Sequence, residues 1–237
     1  IRQILVAVAH RPDPVSQLPP DSDQTHVSGL KNLRDWLGES SSDVRSTKLI
    51  YLSTTGVFGQ EGNGDSVTEL TPPMPTRIGP RIALAAEHFL QKGLTNWSSV
   101  VLRLAGIYGP GRIPLAHRLK EGLPLAVPRD GYLNLVHVDD IAQAIVWALD
   151  ADQRQPMYLL SDGNPVLREQ FYRYLAELCG TSDPIFVEPE PSDPKVRRAT
   201  NKKVDPACFW RESGLMPKFA DYRDGLRQSL LLSGHSD

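Results

Sequence analysis

Near the start of the chain, ILVAVAH (residues 4–10) is a continuous apolar run, the pattern of a strand buried on both faces. Pro and Asp residues then mark a loop. HVSGLKNLRDWLG (26–38) follows, placing Val27, Leu30, Leu33, Trp36 and Leu37 on one helical face ahead of Gly38. KLIYLS (48–53) predicts a second strand, and the Gly, Pro and Thr of 59–76 predict loop. RIALAAEHFLQKG (81–93) stripes a helix with Ile82, Ala85, Ala86, Phe89 and Leu90, and SVVLRLAG (99–106) predicts a third strand. Alternating buried-type strands and helices predict right-handed crossovers and a parallel sheet.

Beyond Gly106 the texture changes to a loop-rich stretch with one short helix. YLNLVHVDD (132–140) reads as a strand running into a helix striped by Ile141, Ala144, Ile145, Ala148 and Leu149, with Asp140 as its cap. MYLLSD (157–162) predicts another strand. Leu167, Phe171, Tyr174, Leu175 and Leu178 predict a helix, and DYRDGLRQSLLL predicts a terminal one after a Pro-rich link.

Composition narrows the function classes. With 237 residues, 40% hydrophobic and 23% charged, the chain is long enough for one large domain or two small ones. A net charge of −2 offers no electrostatic case for nucleic acid or an anionic membrane surface. Arg197-Arg198 and Lys202-Lys203 read as solvated basic pairs. Cys179 and Cys208 are the only cysteines, so no disulfide framework or cysteine metal site is indicated. The histidines His10, His26, His88, His117 and His235 lack metal-ligand spacing. No apolar run is long enough to span a bilayer and no signal peptide is visible, which makes cytoplasm the default expectation.

Candidate chemistry centres on TKLIYLSTTGVFG, a strand ending in three hydroxyls and a glycine. Short polar side chains at a strand's carboxyl end suit a binding crevice, and equally suit a tight turn. Four other stretches accompany it: ELTPPMPTRIGPRIALAAE, LRLAGIYGPGR, VHVDDIAQAI and NKKVDPACFWRESGLMPKFADYRDGL. In this order the five resemble the extended short-chain dehydrogenase/reductases, the NAD-dependent epimerase/dehydratase group. The resemblance implies an α/β fold. Its Rossmann-like parallel sheet would span 1–107, be completed by about 132–162, and lack its first strands here. A smaller α+β substrate domain would comprise 108–131 and 163–237. The resemblance also implies NAD or NADP as cofactor, a small-molecule substrate of nucleotide-linked or other polar type, and a homodimer through helices 26–38 and 81–93.

Residue by residue, the resemblance makes Thr54 the catalytic hydroxyl that bonds the substrate oxygen. Ala7, Ala9, Leu52, Ser53, Leu104, Gly106 and Ile107 would line the cofactor. Arg81, Tyr108, Arg112 and His137 would face the substrate, with His137 open to a structural hydrogen-bonding role instead.

Two departures from the family pattern shape the functional expectation. The family's proton-shuttling Tyr, with a Lys four residues on, should fall at Ile78 or Gly79 and at Ile82 or Ala83, and neither residue type stands there. Arg77 and Arg81 are nearby, but a guanidinium stays protonated; they could clamp an anion or simply be solvated. The family's Gly-rich phosphate cradle is also absent. The glycine groups at 59–64 and 106–111 have neither its spacing nor its helix, and read as loop glycines. By the match, ILVAVAH is the family's fourth strand, leaving an apolar edge that upstream polypeptide is expected to cover. The expectation is an NAD(P)-binding epimerase/dehydratase-like or reductase-like protein with a non-standard active site. The alternative is a non-catalytic protein that senses NAD(P)H or joins an assembly.

Overall fold

The computed structural model describes residues 2–7, 26–40, 47–59, 63–93, 98–152, 155–188 and 201–233. Its elements begin with β1 (Arg2–Val6), α1 (Val27–Ser40), β2 (Thr47–Thr54), a single 3₁₀ turn (Thr55–Phe58), β3 (Asp65–Val67), α2 (Ile78–Gly93), β4 (Ser98–Leu104) and β5 (Gly106–Tyr108). Then come α3 (Ala116–Lys120), β6 (Leu125–Ala126), β7 (Tyr132–Leu133), β8 (Leu135–His137), α4 (Val138–Asp150), β9 (Met157–Leu160), β10 (Val166–Leu167) and α5 (Arg168–Cys179). The last are β11 (Phe186–Val187), β12 (Lys202–Val204), α6 (Ala207–Ser213) and α7 (Tyr222–Ser233). The chain divides into two compact units. The first comprises Ile1–Gly59, Glu69–Leu104 and Gln143–Leu159; the second comprises Gln60–Thr68, Ala105–Ala142 and Leu160–Asp237.

The first unit is built on a sheet of order β1-β2-β4-β9, with β1 parallel to β2 and β2 parallel to β4. Leu49, Ile50 and Tyr51 of β2 have no exposed surface, as expected of a central strand covered on both faces. Each such side chain contributes about 1.5–3 kcal/mol by burial. One side is closed by Leu30 of α1 and Ala86 and Leu90 of α2, packed with Leu49, Tyr51 and Val101. Strand β1 ends the sheet's order, and its Leu5 is 46% exposed, so the apolar edge expected from the sequence is there among the described residues.

Two helices depart from their predicted stripes. Ala85 of α2 is exposed while Glu87 is buried, so the inner face carries a charge where apolar periodicity alone predicts none. Trp36 of α1 is 61% exposed rather than packed.

The second unit holds its own core. Tyr108, Leu125, Leu135, Phe171, Leu175 and Leu226 are essentially without exposed surface. Small two-stranded pairs frame it: β5 with β8 and β12 with β3 parallel, β10 with β7 antiparallel. The stretch predicted as one strand over 132–140 breaks at Asn134. The Asn134 side chain leaves the ladder to bond β12, its Nδ2 donating to the Lys202 carbonyl (2.9 Å) and its Oδ1 accepting from Val204 N–H (2.7 Å). Helix α4 already begins at Val138, which corrects the capping role expected for Asp140. Its carboxylate instead accepts from the backbone N–H groups of Lys218 (2.6 Å) and Phe219 (3.3 Å).

The predicted loop 59–76 contains β3, and the Lys202-Lys203 pair is not a solvated face. Lys202 is buried in β12, and Lys203 Nζ lies 4.7 Å from the centre of the Tyr132 ring. Arg197 and Arg198 lie outside the described residues.

Candidate functional site

The site is built from the carboxyl end of β2. Register pairs Ser53 with Arg103 and Thr54 with Leu104, so the two central strands of the first unit end side by side. Immediately after Thr54 the backbone enters the 3₁₀ turn. Thr54 caps that turn, its Oγ1 accepting the Gly56 N–H at 3.0 Å from an extended backbone. This bond fixes the hydroxyl oxygen as an acceptor and leaves its hydrogen to donate; no described residue accepts it. Thr54 is half-buried. The turn closes on Gly59 at φ +77°, where a side chain would begin 2.5 Å from the Met74 carbonyl oxygen. Met74 N–H donates to the Val57 carbonyl (2.8 Å) and ties the loop before α2 onto the turn. Gly59 is therefore a close-approach glycine, and the expectation of loop glycines holds for it.

Ser53 behaves differently from its neighbour. Its side chain is turned inward, and its Oγ donates to Glu87 Oε1 in a short hydrogen bond. Glu87 in turn receives Arg103 bidentately, with Nη2 to Oε2 at 2.7 Å and Nε to the two oxygens at 3.1 and 3.2 Å. The Arg103 guanidinium also stacks 5.0 Å from the centre of the Phe58 ring. Both charged side chains are nearly sealed from solvent. A buried carboxylate and a buried guanidinium are tolerable only as a pair, and this pair joins α2, β4 and the end of β2. What Ser53 can offer a ligand is its backbone, since its hydroxyl is committed to Glu87. The sequence holds a signal for this network: Arg103 interrupts an apolar strand and Glu87 sits within an apolar helical face.

Arg77 is half-buried just before α2, and Arg81 is exposed in its first turn with Nε donating to the Pro75 carbonyl (3.2 Å). Ile82 and Ala83 are buried at 6% exposure, where the family pattern would carry the Lys. Among the other expected ligand-lining residues of this unit, Ala7 is exposed just past β1, Leu52 is half-buried and Leu104 is buried. Ala9 lies outside the described residues.

In the second unit, Gly106 is exposed. Its N–H donates to the Asn134 carbonyl (2.8 Å), and a side chain there would begin 2.9 Å from that oxygen. Ile107 is half-buried beside it. Tyr108, expected to face substrate, is packed in the core. Its ring and hydroxyl lie against Gly225, where a side chain would begin 2.1 Å from the phenolic oxygen. Burial, and after it the negative charges of Asp162 and Asp140, push the phenol far above its usual range. That is opposite to what a proton-shuttling tyrosine requires.

His137 is fully buried between Tyr108 (ring centres 5.1 Å apart) and Phe219 (4.1 Å). Its Nδ1 accepts from Asp139 N–H (3.2 Å), which assigns the proton to Nε2, facing Ser229 Oγ at 3.4 Å. Ser229 Oγ in turn donates a hydrogen bond to the Gly225 carbonyl (2.6 Å). Burial holds His137 below its ordinary pKa, against the pull of Asp139 and Asp140, so it is a neutral hydrogen-bonding residue inside this unit. Arg112 is exposed, its backbone closing a tight loop with Gly109. Leu115, three residues on, adopts φ +54°, a left-handed conformation that costs a non-glycine residue about 1–3 kcal/mol.

Sequence reading had not singled out Asp162. It is buried, and its carboxyl is pushed up to about 8, by desolvation first and then by the charges of Asp140 and Asp221. Its Oδ1 accepts from Asn164 N–H (2.9 Å), while Oδ2 has no partner among the described residues.

This arrangement of parallel strands ending in a capped hydroxyl turn can be set against known proteins. The model of the NAD dependent epimerase/dehydratase family matches residues 4–160. The chain belongs to this family. Protein YeeZ of Escherichia coli K12 is 32% identical over 164 residues, covering 69% of this chain and 56% of YeeZ. The chain thus spans about half the length of such curated relatives. A structure of a conserved protein of unknown function from Silicibacter pomeroyi DSS superposes with a TM-score of 0.79 at 30% identity, covering 98% of this chain and 78% of that one. UDP-glucose 4-epimerase from Thermus thermophilus, solved in complex with NAD, superposes at 0.77 with 22% identity, covering 99% and 78%. At that identity it shows the fold alone. The α/β fold and family membership read from the five motifs are confirmed. Among the described residues, no helix is long and apolar enough to cross a membrane, and no group of His, Cys, Asp or Glu could hold a metal ion.

Proposed function

We propose that this family member binds NAD or NADP and acts on a polar carbonyl or hydroxyl compound, of nucleotide-linked type, with Thr54 as the group that polarises the reacting oxygen. The observation that supports the reading most is the Thr54–Gly56 bond. It uses a lone pair of the hydroxyl oxygen and leaves its hydrogen to donate, at the carboxyl end of a central parallel strand.

The residues present suit one wall of a dinucleotide site. Ala7 is exposed just past β1, Leu52 offers half-buried apolar surface, and the backbones of Ser53 and Leu104 lie at the carboxyl ends of the central strands. The cofactor, when bound, would supply hydride exchange with the substrate carbon. This chain's residues would orient the substrate oxygen on Thr54, hold its charge with Arg81, and exclude water with Leu52 and Leu104. Tyr108, the phenol that the resemblance offers, is held well above its usual pKa by burial, so proton exchange with the substrate oxygen would run through solvent beside Thr54.

Buried Ile82 and Ala83 at the lysine position favour a second reading, a non-catalytic protein that keeps the fold to sense NAD(P)H. Titration of the full-length protein with NADH and NADPH, followed by nicotinamide fluorescence, tests cofactor binding. A turnover screen on sugar nucleotides with wild type and Thr54→Val then separates enzyme from sensor. The proposal expects saturable cofactor binding in both proteins and a rate lower by about 10²–10³-fold in the variant, the usual loss for one oxyanion donor. Equal rates would overturn the role of Thr54, and turnover in neither would leave the sensor reading.

A further inference from the structure

Thr54 lies between two anchors that reach the same buried ion pair. On its amino side, Ser53 faces Arg103 across the β2–β4 register, and the Ser53 hydroxyl donates to Glu87 Oε1. On its carboxyl side the 3₁₀ turn ends at Phe58, and Arg103 Cζ lies 5.0 Å from the centre of the Phe58 ring. Arg103 also donates to both Glu87 oxygens, Nη2 to Oε2 at 2.7 Å and Nε to the pair at 3.1 and 3.2 Å. Ser53 and Phe58 therefore bracket the turn that Thr54 caps, and one guanidinium–carboxylate unit holds both ends of it. We propose that Glu87 and Arg103 are positioning residues, which set the conformation of this turn and with it the place of the Thr54 hydroxyl. The inference deepens the proposed function and rests on its reading of Thr54 as the ligand-facing group.

Three features support the assignment. Ser53, Phe58, Glu87 and Arg103 are all buried, so water does not compete for these bonds and the low local dielectric strengthens them. The bonds are also directional: a planar guanidinium set on a carboxylate through two nitrogens fixes angle as well as distance, which apolar packing does not. Finally, stability alone does not call for charges here. A buried ion pair offers little over apolar side chains of similar volume, because desolvation offsets the attraction. Apolar contacts of α2 with the strands already exist through Ala86 and Leu90, packed with Leu49, Tyr51 and Val101. What the pair adds is fixed geometry at the end of β2, where Thr54 Oγ1 accepts the Gly56 N–H at 3.0 Å. Strand alternation then turns Thr54 away from the face that Ser53 uses.

The test is amide hydrogen exchange of the full chain, read residue by residue by NMR without ligand. The Gly56, Gly59 and Met74 amides report the turn, because they donate to Thr54 Oγ1, the Gly56 carbonyl and the Val57 carbonyl. The Leu49 and Tyr51 amides report the body of β2. In the double variant Glu87→Leu with Arg103→Leu, the turn amides are expected to exchange roughly tenfold faster or more, while Leu49 and Tyr51 keep their wild-type rates. Ser53→Ala and Phe58→Leu each release one anchor, leave the pair intact and should speed the turn amides several-fold. Arg103→Lys keeps the charge without the planar fork and should loosen the turn as the double variant does. Should the double variant fail to fold, the three single variants carry the comparison. Turn amides that keep their rates in every variant, or rates that rise equally along β2, would overturn the inference. Turnover separates it from the reading it rests on. A loosened turn with Thr54→Val as active as wild type overturns only the role of Thr54, and an unmoved turn with Thr54→Val inactive overturns only the positioning role.

Discussion

At the scale of single residues, environment rather than residue type decides what each candidate can do. Ser53 and Thr54 are adjacent hydroxyls on one strand, yet strand alternation sends one to Glu87 and leaves the other at the turn. Tyr108 and His137 carry the chemistry of an acid and a base, but burial pushes the phenol up and the imidazole down, so both stay neutral across the physiological range. Asp162 shows the same physics with a measurable consequence. Its folded carboxyl titrates at about 8, against an ordinary 3.8. Below about pH 4 both folded and unfolded states hold the proton, and the group has no effect on stability. Between these values the unfolded chain is ionised while the folded one keeps its proton, so stability falls with rising pH by up to ~1.4 kcal/mol per unit. Above 8 the penalty is constant. Asp162→Asn retains the acceptor for Asn164 N–H and removes the titration. Urea unfolding should therefore find the variant equal to wild type near pH 4 and progressively more stable than it up to pH 8. A difference independent of pH would contradict the assignment.

At the scale of elements, the Glu87–Arg103 pair is what couples α2 to the strands beneath it. Glu87→Gln leaves the guanidinium buried without its counter-charge, a loss of about 3–5 kcal/mol. In a chain of this size that lowers Tm by roughly 10 °C or more. The double substitution Glu87→Leu with Arg103→Leu removes both charges and should recover most of the loss, a pattern that thermal melts of the three proteins would reveal. If the single and double variants melt together, the pair is not the coupling element. Most of the elements were legible from periodicity: β2, β4, α5 and α7 lie where their apolar spacing put them, because the two strands are buried along most of their length and each helix buries one striped face. Elements held by side chain to backbone bonds were not. β12 carries two lysines and owes its place to Asn134, and Asp140 binds the chain at 218–219, partners too far along the sequence for any local pattern to show.

At the scale of the whole molecule, the five motifs were legible because four carry glycines, prolines or hydroxyls at turns that only certain residues can make and the fifth, VHVDDIAQAI, carries paired aspartates at a helix start, and their order identified the family. The substrate was not legible, since it depends on side chains from separate loops. The account's central claim is that the ligand meets the chain at the carboxyl end of β2. Hydrogen–deuterium exchange of the full-length protein with and without NADPH tests it most directly. Slower exchange is expected in peptides covering 51–59, while peptides from the buried helix 168–179 keep their rates. Protection that leaves 51–59 untouched would contradict it.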